Sequence, residues 1–202
     1  MPILRSSPPS PFGRKVKIAA AILGLTDRLT VEMADTNDPS DSLRTQNPLG
    51  KIPVLIFDDG STLFDSRVLL EWLDAEAGGG VILPAEREAR FAALRLQALA
   101  DGLTDAAILV IYESRFRTEN ERSPRWVEHQ HGKIERTLAH LEVHAPAPDA
   151  PLHVGTIALA CALGYLDLRF EGRWRAAAPK LVAWLDAFAA RVPAFEATRF
   201  KG

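Results

Sequence analysis

The segment Asn47-Pro48-Leu49-Gly50-Lys51-Ile52-Pro53-Val54-Leu55, closed after a turn by Leu63-Phe64-Asp65-Ser66, decides how the rest of the chain is read. Pro53-Val54-Leu55-Ile56-Phe57 is a β-rich run, and Asp58-Asp59-Gly60 behind it is a turn signal. Ser61-Thr62-Leu63-Phe64 returns as the second strand of a hairpin. A proline cannot donate to a strand ladder, so Pro53 belongs at the start of its strand or on an edge. Val68, Leu69, Trp72 and Leu73 follow at helical spacing, so the hairpin runs into a helix that ends before Gly78-Gly79-Gly80.

Working back toward the N-terminus, Ile3-Leu4 is a short apolar start. Pro11 to Leu25 carries Phe12, Val16, Ala19, Ala20 and Leu23 at helical spacing, and Leu29 to Met33 reads as a strand. The polar stretch from Asp35 to Asn47 is expected to hold an irregular helix. The order β-α-β, then β-β-α, describes a small mixed sheet with helices packed on it. Past the glycines and Pro84 the strand signals stop. Leu96, Leu99, Leu103, Ala106 and Val110 mark a long amphipathic helix, and Ser123-Pro124 opens another whose face is Ile134, Leu138 and Leu141. Ile157, Ala160, Cys161, Gly164 and Leu168 mark a third, and Leu181, Trp184, Leu185 and Phe188 a fourth, bounded by Pro179 and Pro193. The expected organisation is an α/β domain over 1–78, a linker over 79–86 and an all-α domain over 87–202.

The 202 residues carry 24 basic and 26 acidic side chains, a net charge of −2, which gives no electrostatic reason to expect nucleic acid or an anionic membrane as partner. The most apolar run, Ile157 to Leu166, is too short to span a bilayer, and the first residues do not resemble a signal peptide. A lone cysteine, Cys161, excludes an intrachain disulfide and a CxxC redox or zinc motif. The five histidines form no metal motif; His140 and His144 share a helix face, with no third ligand evident. The chain reads as cytoplasmic and metal-free.

Two segments resemble a known family. Ser10-Pro11-Phe12-Gly13-Arg14-Lys15-Val16, between the first strand and first helix, and the segment from Asn47 to Leu55 with Leu63 to Ser66, resemble the N-terminal domain of bacterial and theta/zeta-like glutathione transferases. Ile157 to Asp167 resembles that family's buried core helix, so the resemblance covers nearly the whole chain. It implies a thioredoxin-like domain that binds glutathione, a C-terminal helical bundle and a homodimer.

The chemical problem in such a protein is to make a thiol nucleophilic at neutral pH. A free thiol has a pKa of ~8.5, and lowering it by about two units takes roughly 2.7 kcal/mol of preference for the anion. A hydroxyl donor at the positive end of a helix supplies interactions of that kind. Ser10 precedes a helix whose first residue is Pro11, so it is an N-cap by context; by the resemblance it also occupies the family's catalytic position. Ser6 and Ser7 are neighbouring candidates. Serine at position 10 cannot form a mixed disulfide with glutathione, and Cys161 reads as a core thiol, which argues against glutaredoxin-like chemistry.

The remaining site residues are also carried over from the resemblance. Ile52, before a cis Pro53, pairs through its backbone with the cysteinyl part of glutathione. Ser66 binds the γ-glutamyl carboxylate, Asp65 (often Glu in the family) faces the α-amino group, and Lys51 the glycyl carboxylate. Phe12, Tyr112 and Arg115 fall where a second substrate binds. From the residues alone, Asp65 or Ser66 is equally an N-cap, Lys51 a solvated loop lysine, and Tyr112 with Arg115 a half-buried tyrosine beside a snorkelling arginine. Asp101 and Asp105 read as solvated helix positions, or as groups reaching a partner subunit's glutathione. His153 and Thr156 stand where the family's core helix has a Ser/Thr-x-x-Asp capping box, so a weaker helix start, improved by His153→Ser, is expected. The expected reaction is attack of glutathione thiolate on a small apolar electrophile, with glutathione as co-substrate and no metal or redox cofactor, in a detoxifying role. Its rivals are a non-enzymatic protein-binding module resembling the stringent-starvation type, and a glutathione-dependent isomerase or dehalogenase.

Overall fold

The strands β1 (Ile3–Ser6), β2 (Thr30–Met33), β3 (Val54–Ile56) and β4 (Thr62–Leu63) form one sheet in the order β2-β1-β3-β4. The structure is a computed structural model and describes residues 1–200. β1 and β2 run parallel because helix α1 (Pro11–Ile22) carries the chain back across the sheet, whereas β3 and β4 join antiparallel through the hairpin. Leu4 lies opposite Leu55 and Leu55 opposite Leu63, a cross-strand row that begins the core. Gly24, at φ 69°, takes the left-handed conformation that ends α1.

The polar stretch after β2 holds only the one-turn helix α2 (Leu43–Gln46). Its shape comes from Arg5, whose guanidinium reaches both Asp41 oxygens (2.8 and 3.0 Å), Ser42, Gln46 and the Met33 carbonyl. Asp41 in turn accepts from the N–H groups of Asp35 and Leu43. Helix α3 (Ser66–Glu76) packs on the sheet and ends at three glycines with positive φ, Gly78, Gly79 and Gly80. The buried Asp74 carboxylate then catches the backbone N–H groups of Gly80, Val81, Ile82 and Leu83, and Ile82 accepts from Val154 N. The connection that leaves α3 is thus hydrogen-bonded on both sides.

Five helices make up the second half: α4 (Arg87–Phe116), α5 (Pro124–Val143), α6 (Val154–Phe170), α7 (Pro179–Arg191) and α8 (Pro193–Ala197). Ser123 caps α5 as its context predicts, accepting from Trp126 N with Pro124 in the first turn. Pro193 both ends α7 and opens α8, an element the sequence pattern did not signal. α6 is apolar on every side and buried along most of its length, the pattern of a central helix. At Gly155 a Cβ atom would lie 2.5 Å from the Ala93 carbonyl oxygen, so glycine is what lets α6 approach α4. One continuous cluster, from Leu4, Val16 and Leu69 to Leu103, Ile157 and Leu185, joins the two halves.

The start of α6 corrects the sequence expectation. His153 Nδ1 accepts from the N–H groups of Gly155 (3.1 Å) and Thr156 (3.3 Å), while Thr156 Oγ1 accepts from His153 N (2.9 Å). The pair closes a reciprocal capping box. The box works because a neutral imidazole nitrogen is an acceptor, and burial holds the His153 pKa below its usual value.

Candidate functional site

α1 starts on Ser10, whose Oγ accepts from Gly13 N at 3.1 Å with Pro11 in the first turn. That hydroxyl has one proton and two lone pairs, so the capping bond leaves its O–H free to donate. The N-cap and the thiol-donor roles are therefore compatible on one side chain. α1 sits close on β1 because position 13 is glycine: a Cβ there would lie 2.0 Å from Ser6 Oγ. Ser6 is buried against this contact, with its oxygen unpartnered, which removes it as a candidate for the thiol. Ser7 and Ser10 both line the cleft.

The Ile52–Pro53 peptide is cis, as the resemblance implies. Asp65 is the N-cap of α3, its carboxylate accepting from Arg67 N at 2.9 Å, and Ser66 is the buried first residue of the helix. Free N–H groups at a helix start suit a carboxylate ligand. Lys51, Ile52, Pro53, Asp65, Ser66 and Phe12 line one hollow of about 150 Å³. It adjoins a cavity of about 470 Å³, to which Phe12, Lys51, Ile52 and Asp105 are common and which Ser10, Tyr112 and Arg115 also line. Apart from Ser6, every residue named from the sequence as a site residue lies on this continuous cleft between sheet and helices.

Four side chains that sequence reasoning placed elsewhere or passed over also belong here. Asp101 is buried, not solvated: its carboxylate takes Lys15 Nζ at 2.7 Å and Arg67 Nε at 2.8 Å, tying α1, α3 and α4 together beside Ser66. This pairing raises the Arg67 pKa. Asp105, one turn on, faces the cleft, and burial together with the nearby Asp101 charge holds its carboxyl above the usual carboxylate range. Tyr165 and Arg169 of α6 complete the far wall of the larger cavity. Their position in an otherwise apolar helix hid them, because the helix turns its last turns toward the cleft.

The Cys161 thiol is buried, and burial pushes its pKa up to about 11. It is an unreactive core thiol. His140 and His144 stack with ring centroids 4.4 Å apart, and His144 Nδ1 lies 2.8 Å from the His140 carbonyl oxygen. Among the described residues, no helix is long and apolar enough to cross a membrane.

Comparison with known proteins agrees with this architecture. Residues 9–76 match the family model of the glutathione S-transferase N-terminal domain, and residues 124–187 that of its C-terminal domain. The chain is 32% identical over 163 residues to the uncharacterized GST-like protein YibF of Escherichia coli (strain K12), covering 79% of each chain. A glutathione transferase family member from Pseudomonas fluorescens Pf-5, solved with glutathione bound, is 39% identical with a TM-score of 0.92 over 98% of both chains. The corresponding structure with bound S-(propanoic acid)-glutathione is 38% identical, with a TM-score of 0.88 over 98% of this chain and 99% of that one. A stringent starvation protein A homolog from Coxiella burnetii is 34% identical over 87 residues, 43% of this chain and 40% of its own. The chain belongs to the glutathione S-transferase family.

Proposed function

We propose that this protein is a serine-type glutathione transferase of the cytoplasm, in which glutathione lies along the sheet side of the cleft and a small electrophile of largely apolar body lies against the helices. The observation that carries the reading is the single cleft joining Ser10, Lys51, Ile52, Pro53, Asp65 and Ser66 to an apolar-lined cavity. In this reading the Ser66 hydroxyl and the first N–H groups of α3 hold the γ-glutamyl carboxylate, and Asp65 faces the α-amino group. Ile52 pairs through its backbone with the cysteinyl unit, and Lys51 faces the glycyl carboxylate.

The free O–H of Ser10 donates to sulfur at the positive end of α1. The thiol proton passes to solvent, and the thiolate attacks the electrophile. Phe12, Tyr112 and Arg115 lie against that second molecule. The glutathione-bound relatives support the co-substrate, and we take the division between the domains at 79–86. A homodimer is proposed on the family resemblance; sedimentation giving a monomer at micromolar concentration refutes it.

Calorimetric titration with glutathione tests the reading. Wild type binds; Ser66→Ala loses at least about tenfold in affinity, from one charged hydrogen bond removed. Ser10→Ala still binds but no longer develops thiolate absorbance near neutral pH. No binding at millimolar glutathione overturns the transferase reading and favours the second one, a protein-binding module, which the partial similarity to a stringent starvation protein A homolog supports.

A further inference from the structure

The helical wall of the cleft carries two matched pairs. On α4 the Arg115 guanidinium lies 5.7 Å from the Tyr112 ring centre, and on α6 that of Arg169 lies 5.8 Å from the Tyr165 ring centre. All four residues line the cavity of about 470 Å³ beside Ser10. Neither arginine has a carboxylate partner among the described residues, where every salt bridge uses other cations. Arg169 Nε is moreover buried without a hydrogen-bond acceptor. That nitrogen is out of a ligand's reach; it is through the remainder of its side chain that Arg169 lines the cavity. Buried Tyr165 feels both arginines, which oppose the upward push of its burial on the hydroxyl pKa.

Charge in the cavity is uneven. Lys51, Arg115 and Arg169 stand against one carboxylate, Asp105, in a chain whose net charge is −2. The positive cleft is therefore local and not a property of the whole surface. With glutathione bound as proposed above, Lys51 and the start of α3 take its two carboxylates. The two arginines remain without a carboxylate partner.

We infer that Arg115 and Arg169 bind a carboxylate on the electrophile, whose flat body stacks against Tyr112 and Tyr165. This deepens the transferase reading and rests on it. Arginine suits the task because its planar fork meets a carboxylate with two parallel hydrogen bonds and its face packs on an aromatic ring. A matching substrate is an aryl carboxylate with a displaceable halide, such as 4-(chloromethyl)benzoate. The glutathione sulfur bonds to the benzylic carbon as the carbon–chlorine bond breaks, chloride leaves with the electron pair, and the thiol proton goes to solvent.

The test pairs this acid with its neutral isostere. Calorimetry measures glutathione, S-(4-carboxybenzyl)glutathione and S-(4-carbamoylbenzyl)glutathione on wild type, Arg115→Gln, Arg169→Gln and the double variant. Wild type is expected to bind the carboxylate conjugate at least about tenfold tighter than the carbamoyl one. The preference falls to within about twofold in the double variant, with affinity for glutathione itself unchanged. Arg115 is exposed, so its variant keeps the test available even where Arg169→Gln folds poorly. Equal affinity of wild type for the two conjugates, with glutathione still bound, overturns this inference alone. Failure to bind glutathione at all overturns the transferase reading and the inference with it. In turnover, kcat/KM for 4-(chloromethyl)benzoate over its benzamide follows the same ratio.

Discussion

The two walls of the cleft are built by different means. On the sheet side, Ser10, Ile52–Pro53 and Asp65–Ser66 are positioned by backbone devices that each span a few residues: two N-caps and a cis bond. On the helical side, Asp105, Tyr112 and Arg115 come from α4, and Tyr165 and Arg169 from α6; only the packing of two long helices brings them together. Caps and a turn of the main chain hold these side chains in place through residues adjacent in sequence, whatever the distant side chains do. A wall positioned in that way suits a ligand that never changes, which in the transferase reading is glutathione. A wall of exchangeable side chains on rigid helices suits the ligand that varies. Specificity for the electrophile is therefore expected to move by substitution on α4 and α6, with little effect on glutathione.

A buried ion cluster bridges the division, and breaking it has the largest expected effect. Asp101 stands on α4 yet neutralises Lys15 of α1 and Arg67 of α3 from a buried position. Asp101→Ala leaves the Lys15 ammonium buried without a counter-charge, and such removals cost about 3–5 kcal/mol. The urea midpoint should fall accordingly at unchanged slope. Replacing both partners, Asp101→Leu with Lys15→Met, should recover much of the loss, because an apolar pair needs no desolvation of charge. A loss under about 1 kcal/mol for Asp101→Ala means that the two walls are held together by packing alone.

Gly13 sharpens the account of the sheet-side wall. Alanine there adds a Cβ 2.0 Å from Ser6 Oγ, and overpacking of this kind costs about 1–3 kcal/mol, partly offset by alanine's better helix propensity. Ser6 Oγ has no hydrogen-bond partner, so Ser6→Ala sacrifices none. It removes the crowding atom and leaves the Ser6 Cβ at 3.2 Å. The double variant should therefore be more stable than the sum of the singles by about 1 kcal/mol or more in a double-mutant cycle. Strict additivity refutes the steric reading of this glycine.

The same contrast explains what was legible in the sequence. Ser10-Pro11, Ser123-Pro124 and the Asp58-Asp59-Gly60 turn announce themselves because the residues that make each device are adjacent in the chain. The order of strands and helices followed from them and from hydrophobic spacing. Asp101 was read as solvated because periodicity marks the apolar stripe of a helix and says nothing about a charge lying 86 positions from its partner. Arg169 and Tyr165 were hidden for the same reason, as was the capture of four backbone N–H groups by Asp74. Long-range pairing leaves no mark in local spacing.

The smallest effect concerns the helical side, where a local rule misled. Histidine ranks low among N-caps, yet His153 closes the box at α6 as long as Nδ1 is unprotonated. In the unfolded chain this imidazole titrates near its usual value of ~6.5, whereas burial lowers the folded value. Above ~6.5 both states are neutral and the cap is fully present. As pH falls below that, the unfolded chain takes up a proton that the folded chain resists, and stability drains away until the depressed folded pKa is passed. Serine caps without titrating. His153→Ser should therefore match wild type in Tm at pH 8 and exceed it increasingly as the pH is lowered toward 5, by a few degrees at most, since a cap is worth about 1 kcal/mol. Parallel Tm profiles for the two proteins across that range, or equal hydrogen-exchange protection of Gly155 and Thr156 at both ends of it, refute the titrating cap. The stabilisation that family comparison expects from serine at this position then appears only in acid, because at neutral pH the histidine already makes the same two bonds.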